Sequence, residues 1–463
     1  MSDVRALLHR TADLAADFLD SLETRPVFPR VAPEELYEAL GGPVPDTPTD
    51  PEVVIESLAE AADAGLVAMP GGRYFGFVIG GSLPAALAAD WLTSAWDQNA
   101  GLYVAGPSAS IVEQIVGDWA CDVLGLPAGS SIGLPTGTQM GNVTALAAAR
   151  FRVLERAGWD VARDGLSGGP RVRVLVGAQR HVTIDSSLRL LGLGAPEVVP
   201  ADEQGRMDAN ALDRALRSGR GPAIVCAQAG EVNTGAFDPF DEIATVTAEH
   251  AAWLHVDGAF GLWAAASPDL RHLVRGVERA DSWVTDAHKW LNVPYDSALV
   301  LCADAEAHRA AMSATASYLV SDGRALMRDE ADWVPELSRR ARGFAVYAAL
   351  RSLGRTGLAQ LVEGCCACAQ RFAERIVELD GAEVLNDVVL NQVLFRFETD
   401  SRTDSILRSV QESGDVWLGG TTWDGRRAIR LSVSNWRTGE EEIELALGAF
   451  RAAAQDPVHA PAR

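Results

Sequence analysis

Brief apolar runs separated by helical stretches constrain this chain more than any other feature. The runs at 172–176, 223–227, 253–256, 282–284 and 298–301 lie between segments with helical patterning at 141–156, 209–217 and 241–250. A strand that is apolar throughout, without alternation, is buried on both faces, and such strands belong to parallel sheets covered by helices. The alternation over residues 71–352 therefore predicts a large α/β domain with a mainly parallel sheet. Ligands of such sheets gather beyond the carboxyl ends of the strands.

The flanks differ in texture. Residues 1–70 read as a helical arm. Leu7, Leu14, Phe18 and Leu22 recur at helical spacing among Asp3, Asp13, Asp17 and Asp20, which fits an amphipathic helix better than a signal peptide. Asp50 is placed to cap a second helix with Pro51 in its first turn. Residues 353–463 read as a smaller α+β domain, with helices at 357–379 and 403–413 and strands at 393–397 and 428–434. A net charge of −23 argues against nucleic acid and anionic membranes as partners. No apolar run is long enough to span a bilayer. The six cysteines show no metal-ligand spacing, although Cys365, Cys366 and Cys368 crowd one helix, so no metal is expected. Unpaired cysteines suit the cytoplasm.

The chemistry concentrates in Asp286-Ala287-His288-Lys289-Trp290. Of the 40 basic residues Lys289 is the sole lysine. Arginine cannot form an imine, so a sequence that uses arginine everywhere else and spares one lysine points to a lysine needed for that reaction. Asp257 closes the apolar run 253–256, where a buried carboxylate requires a cationic partner. A Schiff-base lysine and a carboxylate for a pyridine nitrogen are what pyridoxal 5′-phosphate (PLP) requires. Thr136-Gly137-Thr138-Gln139 precedes a helix whose free N–H groups suit a phosphate, although an ordinary capped helix reads the same way. His181 follows the run 172–176, where a flat imidazole can stack on a ring or serve as a structural histidine. Ala259 is small enough to let a ring lie close to the chain.

These residues stand in an ordered set. Tyr74-Phe75-Gly76-Phe77 with Gly80-Gly81-Ser82-Leu83-Pro84, Thr136-Gly137-Thr138, His181 with Asp185-Ser186-Ser187-Leu188-Arg189, and Asn233-Thr234-Gly235-Ala236-Phe237-Asp238 come first. His255-Val256-Asp257-Gly258-Ala259, the lysine segment and Ser338-Arg339-Arg340-Ala341-Arg342 follow. The chain resembles group II PLP-dependent amino-acid decarboxylases, the family of aromatic-L-amino-acid and glutamate decarboxylases, within the aspartate-aminotransferase fold type I. The resemblance implies a mainly parallel seven-stranded sheet, an α+β C-terminal domain and an N-terminal helical arm that wraps a partner subunit in a homodimer with shared active sites. It implies Lys289 as the Schiff-base residue, Asp257 at the pyridine nitrogen, His181 on the ring, and Thr138 and Gln139 at the phosphate. His288 falls beside phosphate and substrate, and Asp286 joins the cofactor-binding set.

The expected activity is decarboxylation of an L-amino acid through a carbanion on the cofactor. Tyr74, Phe75, Phe77, Trp96 and Tyr103 favour an aromatic or apolar side chain, although core packing explains aromatics equally well. The family carries a loop tyrosine shortly before the tryptophan that precedes its Arg-Arg segment. Here Trp333 and Arg339-Arg340 are present, but residues 326–332 contain no tyrosine; Glu330 stands in its place, and Tyr318 lies 15 residues before Trp333. Three outcomes stay open: an amine, with His181, His288 or Glu330 supplying the proton; an aldehyde by coupled oxidative deamination; or another carbanion reaction on the same scaffold. A non-catalytic PLP-binding protein is disfavoured by the retained lysine. Arg430 reads as a structural strand arginine or a carboxylate ligand.

Overall fold

The computed structural model describes residues 3–313 and 327–455. The chain begins with α1 (Val4–Ser21), α2 (Pro33–Leu40) and α3 (Pro51–Asp63), none of which contains a buried residue. The Asp50 carboxylate accepts from the Glu52 N–H at 2.9 Å and Pro51 opens α3, as the sequence predicts. Two further helices, α4 (Pro84–Trp96) and α5 (Pro107–Leu124), pack against the long helix Gly343–Ile376.

Seven strands build the central sheet: β1 (Ser131–Gly133), β2 (Arg173–Gly177), β3 (Glu197–Val199), β4 (Ala223–Gln228), β5 (Trp253–Asp257), β6 (Ser282–Asp286) and β7 (Ala298–Cys302). Their spatial order is β1-β7-β6-β5-β4-β2-β3. The pairs among β2 to β6 are all parallel, and β7 alone runs against its neighbours β6 and β1. β5, β6 and β7 are buried along their whole length, which is why they appear as continuous apolar runs in the sequence.

Helix α6 (Thr138–Arg156) crosses β5, β6 and β7 on one face. Its small residues permit this approach: a Cβ at Gly141 would come within 3.0 Å of the Val284 side chain. A second sheet of β8 (Glu383–Val384), β9 (Gln392–Arg396), β10 (Gly419–Trp423) and β11 (Arg426–Ser432) has the order β10-β11-β9-β8 and is antiparallel throughout. The helix Gly343–Ile376 joins the two sheets. It starts well before the predicted residue 357 and is interrupted at Gly354, whose φ of +59° no β-branched residue would favour. Among the described residues no helix is long and apolar enough to cross a membrane.

Candidate active site

The carboxyl ends of β1, β2, β5 and β6 deliver the residues that the sequence singles out. Asp257 is the last residue of β5 and Asp286 the last of β6, with His288 and Lys289 just beyond. β1 leads into Thr136–Thr138, and β2 leads to His181, which caps the helix Val182–Leu190. Residues far apart in sequence thus meet because parallel strands all present the same end.

Asp286 is the meeting point. Its two carboxylate oxygens accept from the Thr138 N–H at 2.8 Å and the Thr138 hydroxyl at 2.9 Å. Lys289 Nζ lies 3.1 Å from Asp286 Oδ2, and His288 Nε2 lies 3.4 Å from Oδ1. His288 Nδ1 accepts from the Ser297 N–H at 3.1 Å, which leaves the ring hydrogen on Nε2. Burial pushes the His288 pKa down, against the pull of Asp286, so the ring is neutral near pH 7. α6 starts after Gly137 without a side-chain cap, and a Cβ on Gly137 would stand 3.5 Å from His288 Cε1. Thr136 is half-buried in this turn, whereas Gln139 is exposed and makes no side-chain hydrogen bond among the described residues.

Asp257 is 5% exposed. Asn142 donates to its Oδ2 at 3.1 Å and the Ala259 N–H to its Oδ1 at 3.2 Å. Among the described residues no cation pairs with it, so this buried carboxylate lacks the partner that its charge requires. His181 Nδ1 is held by the Thr183 hydroxyl at 2.9 Å and the Thr183 N–H at 3.4 Å. Burial lowers the His181 pKa, and the nearby Asp257 opposes that shift.

The aromatic residues separate into two groups. Tyr74 stacks on Trp417 with centroids 5.1 Å apart, and Phe77 and Phe28 lean on the same indole at 5.7 and 6.0 Å. Phe75 is 1% exposed and belongs to the hydrophobic core, which accounts for it without a substrate. The Tyr103 N–H is tied to the Asp329 carboxylate at 2.8 Å, and Trp96 meets Phe344 edge-on at 5.0 Å. Trp417 and Tyr295 were not legible in the sequence. The Tyr295 ring stacks on His288 at 4.4 Å. Burial pushes its phenol up, and Asp286 and Tyr74 add to that shift. The one local signal for Tyr295 is its position six residues after Lys289.

Glu330 occupies a different environment from the histidine and aspartate residues around Lys289. It is buried, 2.8 Å from the Arg328 guanidinium, and accepts from the Ser110 hydroxyl at 3.2 Å. Its neighbours Glu113 and Arg339 form a bidentate pair at 2.7 and 3.0 Å. None of its contacts among the described residues reaches Asp286, His288 or Lys289. Tyr318 lies outside the described residues. Glu231 caps its own loop by accepting from the N–H groups of Asn233 at 2.6 Å and Thr234 at 2.7 Å. Arg430 donates to the Val232 carbonyl at 2.7 Å beside it.

Residues 33–398 match the description "Pyridoxal-dependent decarboxylase conserved domain". The chain belongs to this family. It is 27% identical to tryptophan decarboxylase 1 of Oryza sativa subsp. japonica, over 96% of this chain and 92% of the relative. It is also 27% identical to 4-hydroxyphenylacetaldehyde synthase of Rhodiola rosea, over 93% of this chain and 91% of that protein. The solved structure of Oryza sativa TDC with PLP and tryptamine superposes with a TM-score of 0.91 at 26% identity, covering 98% of this chain and 97% of that one. The fold is therefore PLP fold type I, the cofactor is PLP, and the protein is a PLP-dependent carboxy-lyase. The donor set fits the cofactor: one lysine beyond β6, one buried carboxylate at the end of β5 that pairs with no cation among the described residues, and one helix N-terminus after β1 whose N-cap is Gly137.

Proposed function

We propose that this decarboxylase removes the carboxylate of an L-amino acid with an aromatic or apolar side chain, using Lys289, Asp257, His181 and His288. The single observation that carries the reading is the convergence of the sole lysine with Asp286, Thr138 and His288, beside the buried carboxylate of Asp257, which no cation pairs among the described residues. Bound PLP supplies an electron-withdrawing ring that accepts the electron pair left at the amino acid's α-carbon when a bond there breaks. Asp257 favours a proton on the pyridine nitrogen by placing a fixed negative charge in a dry site. Thr138, Gly137 and the first turn of α6 hold the phosphate, with Thr136 and Gln139 at the edge of that turn. Ala259 leaves room for the ring and Asp286 orients Lys289. The neutral imidazole of His181 would stack on the ring, and His288 would present its N–H toward the reacting side. The Tyr74–Trp417–Phe77 stack supports an aromatic or apolar preference.

The substitution of Glu330 for the loop tyrosine favours a second reading in which the product is an aldehyde. That reaction balances as amino acid, dioxygen and water giving aldehyde, carbon dioxide, ammonia and hydrogen peroxide. The arm supports a homodimer, with residues 1–70 as the clasp, residues 71–352 as the cofactor domain and residues 353–463 as the small domain. Val4, Leu8, Tyr37, Leu40, Val53, Val54 and Leu58 are exposed on or beside its three helices, an apolar surface that suits a second subunit.

Mass spectrometry of products from aerobic incubation with pooled amino acids tests both readings, with Lys289→Ala as control. An amine lighter than its amino acid by carbon dioxide supports the first, and an aldehyde with peroxide supports the second. Neither product from the PLP-loaded protein, or undiminished turnover in the alanine variant, would sink both.

A further inference from the structure

Asn142, in the second turn of α6, is fully buried and touches three polar side chains. Its amide nitrogen donates to Asp257 Oδ2 at 3.1 Å and sits 3.5 Å from the Thr183 hydroxyl. Its carbonyl oxygen lies 2.8 Å from His255 Nε2. The amide has one workable orientation, because turning it over would set a carbonyl oxygen against a carboxylate. Every other hydrogen in the network follows from that choice. His255 Nε2 must carry the hydrogen, so Nδ1 accepts, here from the Ser282 hydroxyl at 2.9 Å. Trp253 Nε1 in turn donates to Ser282 at 2.9 Å. Donors thus run in one direction, from Trp253 through Ser282, His255 and Asn142, and end on Asp257. A branch leads the same way through the Thr183 hydroxyl to His181 Nδ1, which fixes the His181 hydrogen on Nε2.

We infer that Asn142 and His255 are positioning residues that fix the Asp257 carboxylate in place and hold His181 in its Nε2–H tautomer, so that one amide orients both groups assigned to the cofactor ring. The inference rests on the assignment of Asp257 and His181 in the proposed function. An amide cannot take a proton from Asp257, and an imidazole buried without exposure cannot readily gain one: burial holds His255 down to about 4. The donor chain therefore stays oriented across the working pH range. The titratable groups that face Asp257 are His255 on its own strand, Cys226 on β4 and His181 before the helix Val182–Leu190, while Asp286 at the end of β6 and Lys289 beyond it face His181. Arg430 on β11 adds its charge to His181.

The test uses apoprotein titrated with PLP, read by the dissociation constant and by the cofactor absorption band as a function of pH. Asn142→Asp keeps the shape but places a second carboxylate against Asp257, and two such groups share a proton. The expected result is PLP binding weakened by about tenfold or more, with a band that shifts between about pH 5.5 and 8.5 where the wild type is flat. His255→Gln retains a donor toward Asn142 and keeps wild-type values; His255→Phe loses them. This second pair decides the question should the Asn142→Asp chain not fold. Wild-type affinity and a flat band in Asn142→Asp, or in His255→Phe, overturn the inference. Asp257→Asn separates the two levels. If it too leaves affinity and band unchanged, the assignment of Asp257 fails and the inference falls with it. If it alters them while the Asn142 and His255 variants do not, only the inference falls.

Discussion

Asp286 holds Thr138 with both carboxylate oxygens while it contacts Lys289 and His288. The same Thr138 donors belong to the turn assigned to the phosphate, so a carboxylate and a phosphate share one helix N-terminus. Two anions about 4 Å apart at an effective dielectric near 20 repel by roughly 4 kcal/mol. Asp286→Asn keeps an acceptor for Thr138 and removes the charge. It is expected to strengthen binding of PLP relative to pyridoxal, which lacks the phosphate, by about tenfold or more. Paired titrations of the variant with the two ligands check this, and an unchanged ratio would show that Asp286 does not face the phosphate. Residue types made Lys289, Asp257 and His181 legible in the sequence, because few environments explain a sole lysine or an acid closing an apolar strand. Asn142 and His255 were not legible. An asparagine in a helix and a histidine in a strand look ordinary until tertiary structure shows that each spends its hydrogen bonds on another site residue. Trp417 was hidden for the same reason, since it meets Tyr74 across more than 300 residues.

At the scale of elements, the turn after Lys289 shows how a local rule can be broken for a purpose. Asn292 has a φ of +54° and is fully buried. Its amide nitrogen donates to the Trp290 carbonyl at 2.8 Å and the Ser434 carbonyl at 2.9 Å, and its side-chain oxygen accepts from the N–H groups of Gly81 and Trp436 at 2.8 and 3.0 Å. Three segments, around residues 81, 290 and 435, are fastened by one side chain. The fastening also accounts for Gly80, where any Cβ would collide with the Lys289 carbonyl oxygen. Asn292→Ala leaves several buried backbone groups unpaired and keeps a strained left-handed residue. Stability should fall by roughly 3–5 kcal/mol, read by denaturant unfolding; a loss below about 1 kcal/mol would mean water replaces the amide. The sequence predicted β2, β4 to β7, β9 and β11 and the helices it named at 141–156, 209–217, 241–250 and 403–413 within a few residues, but it named no strand at β10 and no helix at α4 or α5. β1 and β3 escaped it because three residues carry too little periodicity to register. The early start of the helix Gly343–Ile376 escaped because that end is set by packing against α4 and α5.

Across the whole molecule, acid sensitivity should come in part from histidines that join separate layers. His308, fully buried on the helix Ala305–Met312, lies 2.8 Å from the Ser131 hydroxyl of β1 and 2.9 Å from the Trp333 carbonyl. It thereby links the sheet edge, the helix after β7 and the segment that carries the Arg339–Glu113 pair. Burial lowers its pKa from 6.5 to about 3, opposed by the bond to Trp333. In the unfolded chain the same ring titrates near 6.5, so below that pH the unfolded state binds a proton that the folded state refuses. This contribution is fully present above pH 6.5 and is lost progressively as pH falls toward 3. Between pH 7.5 and 5.0 it amounts to about 2 kcal/mol, at 1.36 kcal/mol per unit of pH below 6.5. The net charge of −23 acts in the opposite sense, since acid relieves self-repulsion, and the absolute pH profile therefore mixes both effects. His308→Gln separates them, because charge is the same elsewhere. The variant should be less stable than wild type at pH 7.5, and the gap should narrow by about 2 kcal/mol at pH 5.0 in urea unfolding. A gap of constant size at both pH values would show that His308 is protonated in the folded protein, and that burial of this imidazole does not control its charge.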